Sequence, residues 1–115
     1  MWLGKGAAEW PEDLTGKFDL VTATGIFCVG HCSNLGYEEI HAALKTGGHM
    51  VACSRSCFLV PGESEGFADK LEAMVAEGKF KRIHTHSWMH GYPEAPKGSY
   101  EEEQESTCYV LQRID

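Results

Sequence analysis

Residues 17–55, KFDLVTATGIFCVGHCSNLGYEEIHAALKTGGHMVACSR, contain the pattern that decides the fold of this chain. Residues 18–24 are a short apolar, β-branched run, which is typical of a buried strand. The next apolar side chains repeat at helical spacing: Tyr37, Ile40, Ala43 and Leu44. Gly47 and Gly48 are predicted to end that helix, because glycine enters the left-handed conformation without steric cost, and residues 49–54 resume a strand. The pattern therefore predicts a βαβ unit with two parallel strands.

The rest of the chain continues the α/β pattern. Residues 65–77 carry an apolar face at helical spacing, with Ser64 as the predicted N-cap and Gly78 as the residue that closes the helix. Residues 79–88 and 107–114 are predicted strands. Parallel strands bind ligands beyond their carboxyl ends, so the loops that follow the first two strands are the expected functional region.

Length and charge indicate one compact domain that does not bind nucleic acid. A chain of 115 residues is long enough to bury a core. Its net charge of −7 argues against binding to a phosphate backbone, which needs a basic face. No apolar run approaches the ~20 residues of a membrane span, and no signal peptide is apparent. The five cysteines do not form a short disulfide framework, so a reducing, cytoplasmic location is expected.

The chain is similar to the second half of the class I S-adenosylmethionine-dependent methyltransferases in three sequence motifs: FDLV, TGIF and LKTGGHMV. The resemblance implies an α/β, partial Rossmann-like methyltransferase fold of three layers. Its mixed sheet of about four strands would have the order 4-5-7-6 in the family's labels, with two main helices. Residues 1–115 would form one methyltransferase-like domain. Within it, residues 1–16 are a lead-in loop, and residues 17–115 are an α/β core that lacks the half with the glycine loop.

The same resemblance implies a cofactor and a set of contacts. S-adenosylmethionine would bind with its methionine end against Gly25, Ile26 and Phe27. Gly6 and Ala7 stand where the family often has Asp-Ala, so only the backbone amide near Ala7 is left to approach the adenine. The family's Gly-x-Gly-x-Gly turn has no counterpart here. Two functions follow: methyl transfer to a small-molecule acceptor, or a non-catalytic homodimeric interaction module derived from a methyltransferase.

Several side chains could have a role in catalysis or metal binding, or could simply be exposed to solvent. His31 could act as a general base or be a solvated loop residue. Metal binding is not expected, although two Cys-x-x-x-Cys pairs would bring four thiols to neighbouring strand ends: Cys28, Cys32, Cys53 and Cys57. His84 and His86 share one strand face and could chelate a metal or simply face solvent. The rings of the late loop could line a substrate mouth: Trp88, Tyr92 and Tyr100.

The first strand, residues 18–24, has few charges and would leave a long sheet edge open. Two copies of this strand running antiparallel would give a two-fold dimer with a continuous eight-stranded sheet. The alternative is a monomer in which residues 1–16 cover the edge with Trp2, Leu3 and Trp10.

Overall fold

A computed structural model of the chain describes residues 3–28, 30–99 and 101–115. These residues form four strands and two α-helices. In chain order they are β1 (Phe18–Thr24), α1 (Gly36–Ala43), β2 (Leu44–Arg55), α2 (Phe67–Ala76), β3 (Phe80–His90) and β4 (Gln104–Arg113). The sheet has the order β1-β2-β4-β3, with β1 parallel to β2 and the other pairs antiparallel. This is the predicted mixed sheet, and its strand order matches 4-5-7-6.

The prediction that Gly47 and Gly48 end the first helix was wrong. Helix α1 ends at Ala43, and both glycines lie inside β2 at an irregularity in its pairing with β1. A side chain at Gly48 would place its Cβ 2.9 Å from the Lys45 carbonyl oxygen and 3.1 Å from that of Phe18. The glycine therefore lets β2 pass close to β1, which the local sequence pattern does not distinguish from a helix end.

The two ends of α2 differ in how well they were predicted. Ser64 does not cap the helix, which begins at Phe67 after the left-handed Gly66. Gly78 does close it, with φ of 77° and its N–H donating to the Val75 carbonyl at 3.1 Å. The N–H of Lys79 donates to the Met74 carbonyl at 2.9 Å, which completes a Schellman motif.

Both helices pack on one face of the sheet, so the described residues supply two of the three layers that the resemblance implies. The connection from β1 to β2 joins two parallel strands, and so does the connection from β2 to β3. Both connections cross the sheet in the same direction. Right-handed crossovers of this kind place both helices on the same side. The opposite face, which we call the open face, has no helix from the described residues. Its side chains on the two central strands are half-buried: Val51, Cys53, Cys108 and Val110.

The core centres on a group of aromatic rings between the sheet and the helices. Phe27 stacks on Tyr37 with ring centroids 4.1 Å apart, and Phe67 contacts both rings edge-on. The hydroxyls of Tyr37 and Tyr109 lie 2.7 Å apart, which links α1 to β4. Burial raises the pKa of both phenols, so these groups remain neutral hydrogen-bonding partners.

The segment before β1 is more ordered than the predicted loop. It contains two short 3-10 turns, Ala7–Glu9 and Glu12–Leu14, and is tied to α1 by two glutamates. The buried Glu39 carboxylate accepts the Gly4 N–H at 2.5 Å, and Glu38 accepts the Ala7 N–H at 3.2 Å. Glu38 also pairs with Lys70 of α2, and this hydrogen bond lowers the pKa of the Glu38 carboxyl.

Candidate functional site

The carboxyl ends of the parallel strands β1 and β2 open into a cavity of about 440 Å³, which we call the strand-end cavity. Its principal wall residues come from all four strands: Gly25, Cys53, Arg55, Trp88, His90 and Ser106. This is the edge of the sheet at which parallel α/β proteins bind ligands. The location agrees with the region expected from the sequence.

Gly25 forms the wall of the cavity at the end of β1. Its φ is 71°, a left-handed conformation that favours glycine, and a Cβ at this position would meet no atom within 4 Å. The Gly25 N–H donates to the Cys53 carbonyl at 3.0 Å, and the Gly25 carbonyl accepts from the Cys28 thiol at 3.6 Å. The backbone is therefore held in place while the side-chain position stays open to a ligand.

Ile26 and Phe27, which follow Gly25, are not part of the wall of this cavity. Phe27 is 1% exposed and belongs to the aromatic core. Ile26 is half-buried and lines a second cavity of about 310 Å³, between β1, α1 and the segment before β1. We call this the β1 cavity. Of the three residues expected to contact the methionine end of the cofactor, Gly25 alone lies in the wall of the strand-end cavity.

Ala7 lies elsewhere on the molecule. Its N–H is already engaged by Glu38, and it borders a groove formed with Lys70 and Lys79. The structure therefore does not bring Ala7 together with Gly25 in one cavity.

His31 is an exposed residue of the loop between β1 and α1, and its backbone N–H donates to the Cys28 carbonyl at 3.2 Å. It is not part of the strand-end cavity wall. The histidine that does line this cavity is His90, whose Nε2 lies 2.7 Å from the Ser106 hydroxyl. The sequence analysis grouped His90 with His84, His86 and Trp88 as a cluster that could bind a metal. It did not bring His90 together with Arg55 and Ser106, because their meeting depends on how the strands pair.

The four-cysteine zinc site is not assembled. Cys32 is buried in the core on the helix side of the sheet, whereas Cys53 lies on the open face and Cys57 is exposed after β2. Across residues 3–28, 30–99 and 101–115, no three His, Cys, Asp or Glu side chains form a group that could hold a metal ion. His84 and His86 do share the open face, opposite Val110 and Cys108.

Of the rings expected to line a substrate mouth, Trp88 lies in the cavity wall, and it belongs to β3 and not to the late loop. Trp88 lies between His86 and His90, with ring centroids 6.1 and 6.4 Å away. Tyr92 is 58% exposed and is not in the cavity wall. Tyr100, like Trp2, lies outside the described residues. Strand β4 begins at Gln104, three residues before the predicted start of the last strand.

The wall residues fit one end of S-adenosylmethionine better than the other. The open, fixed backbone at Gly25 can approach the methionine end closely. None of the described residues in the cavity wall has a carboxylate that could accept hydrogen bonds from the ribose hydroxyls, whereas the resemblance implies an acidic residue for this role. The described residues therefore provide a place for the methyl-carrying end and leave the nucleoside end without an acidic partner.

Comparisons with known proteins give a fold and no sequence family. No protein-family model matches the chain, and no curated protein sequence matches it. Among solved structures, the chain is similar to a "putative methyltransferase" from Bacillus halodurans C-125, with a TM-score of 0.62 and 14% identity over 96% of this chain and 70% of that one. It is also similar to a 30S ribosomal A1408 methyltransferase from an uncultured bacterium, with a TM-score of 0.51 and 12% identity over 95% of this chain and 60% of that enzyme.

These similarities show that the chain has the class I methyltransferase fold over the part of those structures that it covers. None of the helices in the described residues is long and apolar enough to cross a membrane.

Proposed function

We propose that this chain is a cytoplasmic, S-adenosylmethionine-dependent methyltransferase-like domain that acts on a small-molecule acceptor. The observation that carries the proposal is the strand-end cavity, which lies where the methyltransferase fold would bring acceptor and methyl group together. The fold alone does not establish turnover, so the argument rests on this site.

Gly25 and the acceptor-side residues have different roles in this proposal. The backbone at Gly25 contacts the methionine end of the cofactor, with the rest of the loop around Ile26 and Phe27 supporting it from the core. Arg55, Trp88 and His90 form the opposite part of the wall, where a guanidinium, an indole and an imidazole can orient a small acceptor. Methyl transfer depends mainly on alignment of the nucleophile with the methyl group, so positioning is the chief contribution expected of these residues.

The first prediction is saturable binding of S-adenosylhomocysteine, at one site per chain. Because none of the described wall residues has a carboxylate, we expect weak binding, with a dissociation constant of about 10 μM to 1 mM, equivalent to roughly 4–7 kcal/mol. Isothermal titration calorimetry on the folded protein measures it. A folded protein that shows no saturable binding with ligand at ~10 mM, about ten times the weakest expected dissociation constant, would contradict the proposal.

A matched pair of substitutions locates the site. Gly25 and Gly16 flank β1 at opposite ends, have φ of 71° and 64°, and both have open space where a Cβ would be. Asparagine tolerates the left-handed conformation better than most residues, so both replacements should fold. Gly25→Asn should weaken S-adenosylhomocysteine binding at least ~10-fold, about 1.4 kcal/mol, by placing a side chain in the cavity. Gly16→Asn should leave binding unchanged, and equal effects would argue against the strand-end cavity.

A second function, a non-catalytic homodimeric module, is favoured by the difference between the two sheet edges. The β3 edge carries Lys81 and Arg82, and charged side chains of this kind discourage strand pairing. The β1 edge contains a single charge, at Asp19. Among the described residues, no backbone hydrogen bond joins the preceding segment to β1, so its outer edge has no backbone partner from that part of the chain.

Apolar side chains next to the β1 edge also suit a second copy of the chain. Phe18 and Leu20 are 41% and 55% exposed, and the β1 cavity opens beside them. Leu3 and Trp10 line this cavity, so the segment before β1 packs near the edge without bonding to its backbone. An antiparallel β1 pair would satisfy both edges at once.

The second prediction concerns this interface. Leu20→Lys should weaken self-association at least ~10-fold, about 1.4 kcal/mol, because an edge lysine opposes strand addition and the two copies would repel. Ile83→Lys is the matched control on the β3 edge, where the isoleucine is 46% exposed, and it should leave the mass in solution unchanged. Sedimentation equilibrium measures both. A wild-type chain that stays monomeric at high micromolar concentration would rule out the dimer.

A further inference from the structure

The open face of the sheet carries two thiols in a direct cross-strand pair. Cys53 of β2 is opposite Cys108 of β4 in the antiparallel register. Directly opposed residues in such a pair have Cα atoms about 4.5–5.5 Å apart, which lies within the range that a disulfide requires. The sequence analysis paired Cys53 with Cys57 and left Cys108 as the odd cysteine. The strand order, which places the last strand beside β2, creates the pair.

Neither thiol is part of a disulfide in the structure, and both are accessible in part. All five cysteines are free, and Cys53 and Cys108 are each of intermediate exposure. Burial raises the pKa of the Cys53 thiol, and the neighbouring Cys108 raises it further. Because the two residues are directly opposite in the antiparallel register, their side chains lie on the same face of the sheet as neighbours.

The other cysteines do not form such a pair. Cys32 is buried against Gly36, and Cys57 is exposed in the 3-10 turn after β2. Cys28 donates to the Gly25 carbonyl. Among the described residues, Cys53 and Cys108 are the only two cysteines that lie directly opposite each other on neighbouring strands.

We propose that Cys53 and Cys108 form a reversible disulfide by exchange with a small-molecule disulfide of the glutathione class. This thiol chemistry does not depend on methyltransferase activity or on cofactor binding. In a reducing compartment, disulfides of this type are usually transient and serve redox sensing or catalysis.

The exchange has two balanced steps. The thiolate of one cysteine attacks the oxidised glutathione disulfide, a new S–S bond forms, and one glutathione thiolate leaves. The second cysteine then attacks the mixed disulfide as a thiolate, closes the intramolecular bond and releases the second glutathione. Two protein thiols are oxidised, one glutathione disulfide is reduced to two thiols, and the two protons lost by the protein are taken up by the leaving groups.

His86 lies next to the cysteine pair on the open face, because it is opposite Cys108 on the neighbouring strand β3. An imidazole beside a thiol can accept its proton and so increase the reactive thiolate fraction. His84→Gln is the matched control, since His84 is two residues away on the same face, opposite Val110. We expect His86→Gln to slow closure of the disulfide several-fold, while His84→Gln leaves the rate unchanged.

The test uses the full chain with Cys28→Ser and Cys57→Ser, which keeps Cys32, Cys53 and Cys108 as its thiols. After equilibration with excess oxidised glutathione, two of the three thiols should be lost to a thiol reagent. Peptide mapping by mass spectrometry should find Cys53 linked to Cys108 without a glutathione adduct. The bond should raise Tm, because it constrains the unfolded chain, and dithiothreitol should reverse both changes.

A further variant separates the mixed disulfide with glutathione from the intramolecular disulfide. With Cys108→Ser added, Cys53 should stop at the mixed disulfide with glutathione, which is visible as a mass adduct. Three results would overturn the proposal: no loss of thiols, a stable glutathione adduct when both cysteines are present, or a disulfide that involves Cys32.

Discussion

Phe67→Ala should lower the free energy of unfolding by about 3–5 kcal/mol, the usual cost of truncating a fully buried phenylalanine. Phe67 has no exposed surface and contacts three other rings, at centroid distances of 5.8 Å to Phe27, 6.3 Å to Tyr37 and 6.0 Å to Phe58. It is the residue through which α2 joins the aromatic core. Because small domains are stable by only about 5–15 kcal/mol, the loss is a large share of the total.

Urea denaturation followed by circular dichroism measures this effect, and Phe58→Ala is its control. Phe58 is only partly buried at the margin of the same cluster, so its truncation should cost roughly half as much or less, in proportion to the apolar area lost. Equal costs at the two positions would mean that α2 is not anchored by Phe67. The slope of unfolding against urea should stay constant if the variants remain two-state.

The local sequence pattern predicted the parallel βαβ unit, and the resemblance to class I methyltransferases implied the order of the remaining strands. An apolar run, a helical repeat and a second apolar run leave few alternatives to a right-handed βαβ unit. Gly78 was predicted correctly for the same reason, since it follows a helix of clear periodicity. Gly47 and Gly48 were not, because a glycine needed for close approach to another strand looks the same as one that ends a helix.

Only those site residues whose position follows from the local sequence pattern could be predicted. Gly25 follows a strand directly, so its place at the strand end follows from the local pattern. His90 and Ser106 reach the same cavity from residues far along the chain, and only the insertion of β4 between β2 and β3 brings them there. The pairing of Cys53 with Cys108 depends on the same insertion and could not be read from cysteine spacing.

The open face and the β1 edge are connected features of this architecture. Both crossovers run in one direction across the sheet, so both helices cover one face, and β1 remains at the end of the series with no neighbour on its outer side among the described residues. A second copy at the β1 edge would extend the sheet without covering the open face. The thiol pair would therefore stay accessible in a dimer built on β1, and the proposed exchange and the proposed interface can be tested separately.

Gly36→Ala should lower the free energy of unfolding by about 1–3 kcal/mol, although helix propensity alone predicts the opposite. Alanine is favoured over glycine by up to ~1 kcal/mol inside a helix. At Gly36, however, a Cβ would lie 2.5 Å from the Cys32 sulfur and 2.9 Å from the Phe27 Cε1. Both neighbours are buried, at 8% and 1% exposure, so neither can move aside without disturbing the core.

A double-mutant cycle with Cys32→Ala separates the clash from any loss at the helix end. Removing the sulfur takes away the closest contact, so Gly36→Ala should cost less in the Cys32→Ala background than in the wild type, with a coupling of about 0.5–2 kcal/mol. Urea denaturation of the four proteins gives this number. If Gly36→Ala lowers the free energy of unfolding equally in both backgrounds, the sulfur is not the obstacle. If Gly36→Ala raises the free energy of unfolding, the loop before α1 moves to make room for the new methyl group. Either result would mean that the loop after Gly25 is less rigid than the packing of Cys32 implies, and the cavity wall that this loop adjoins would then adjust to a ligand instead of presenting a fixed surface.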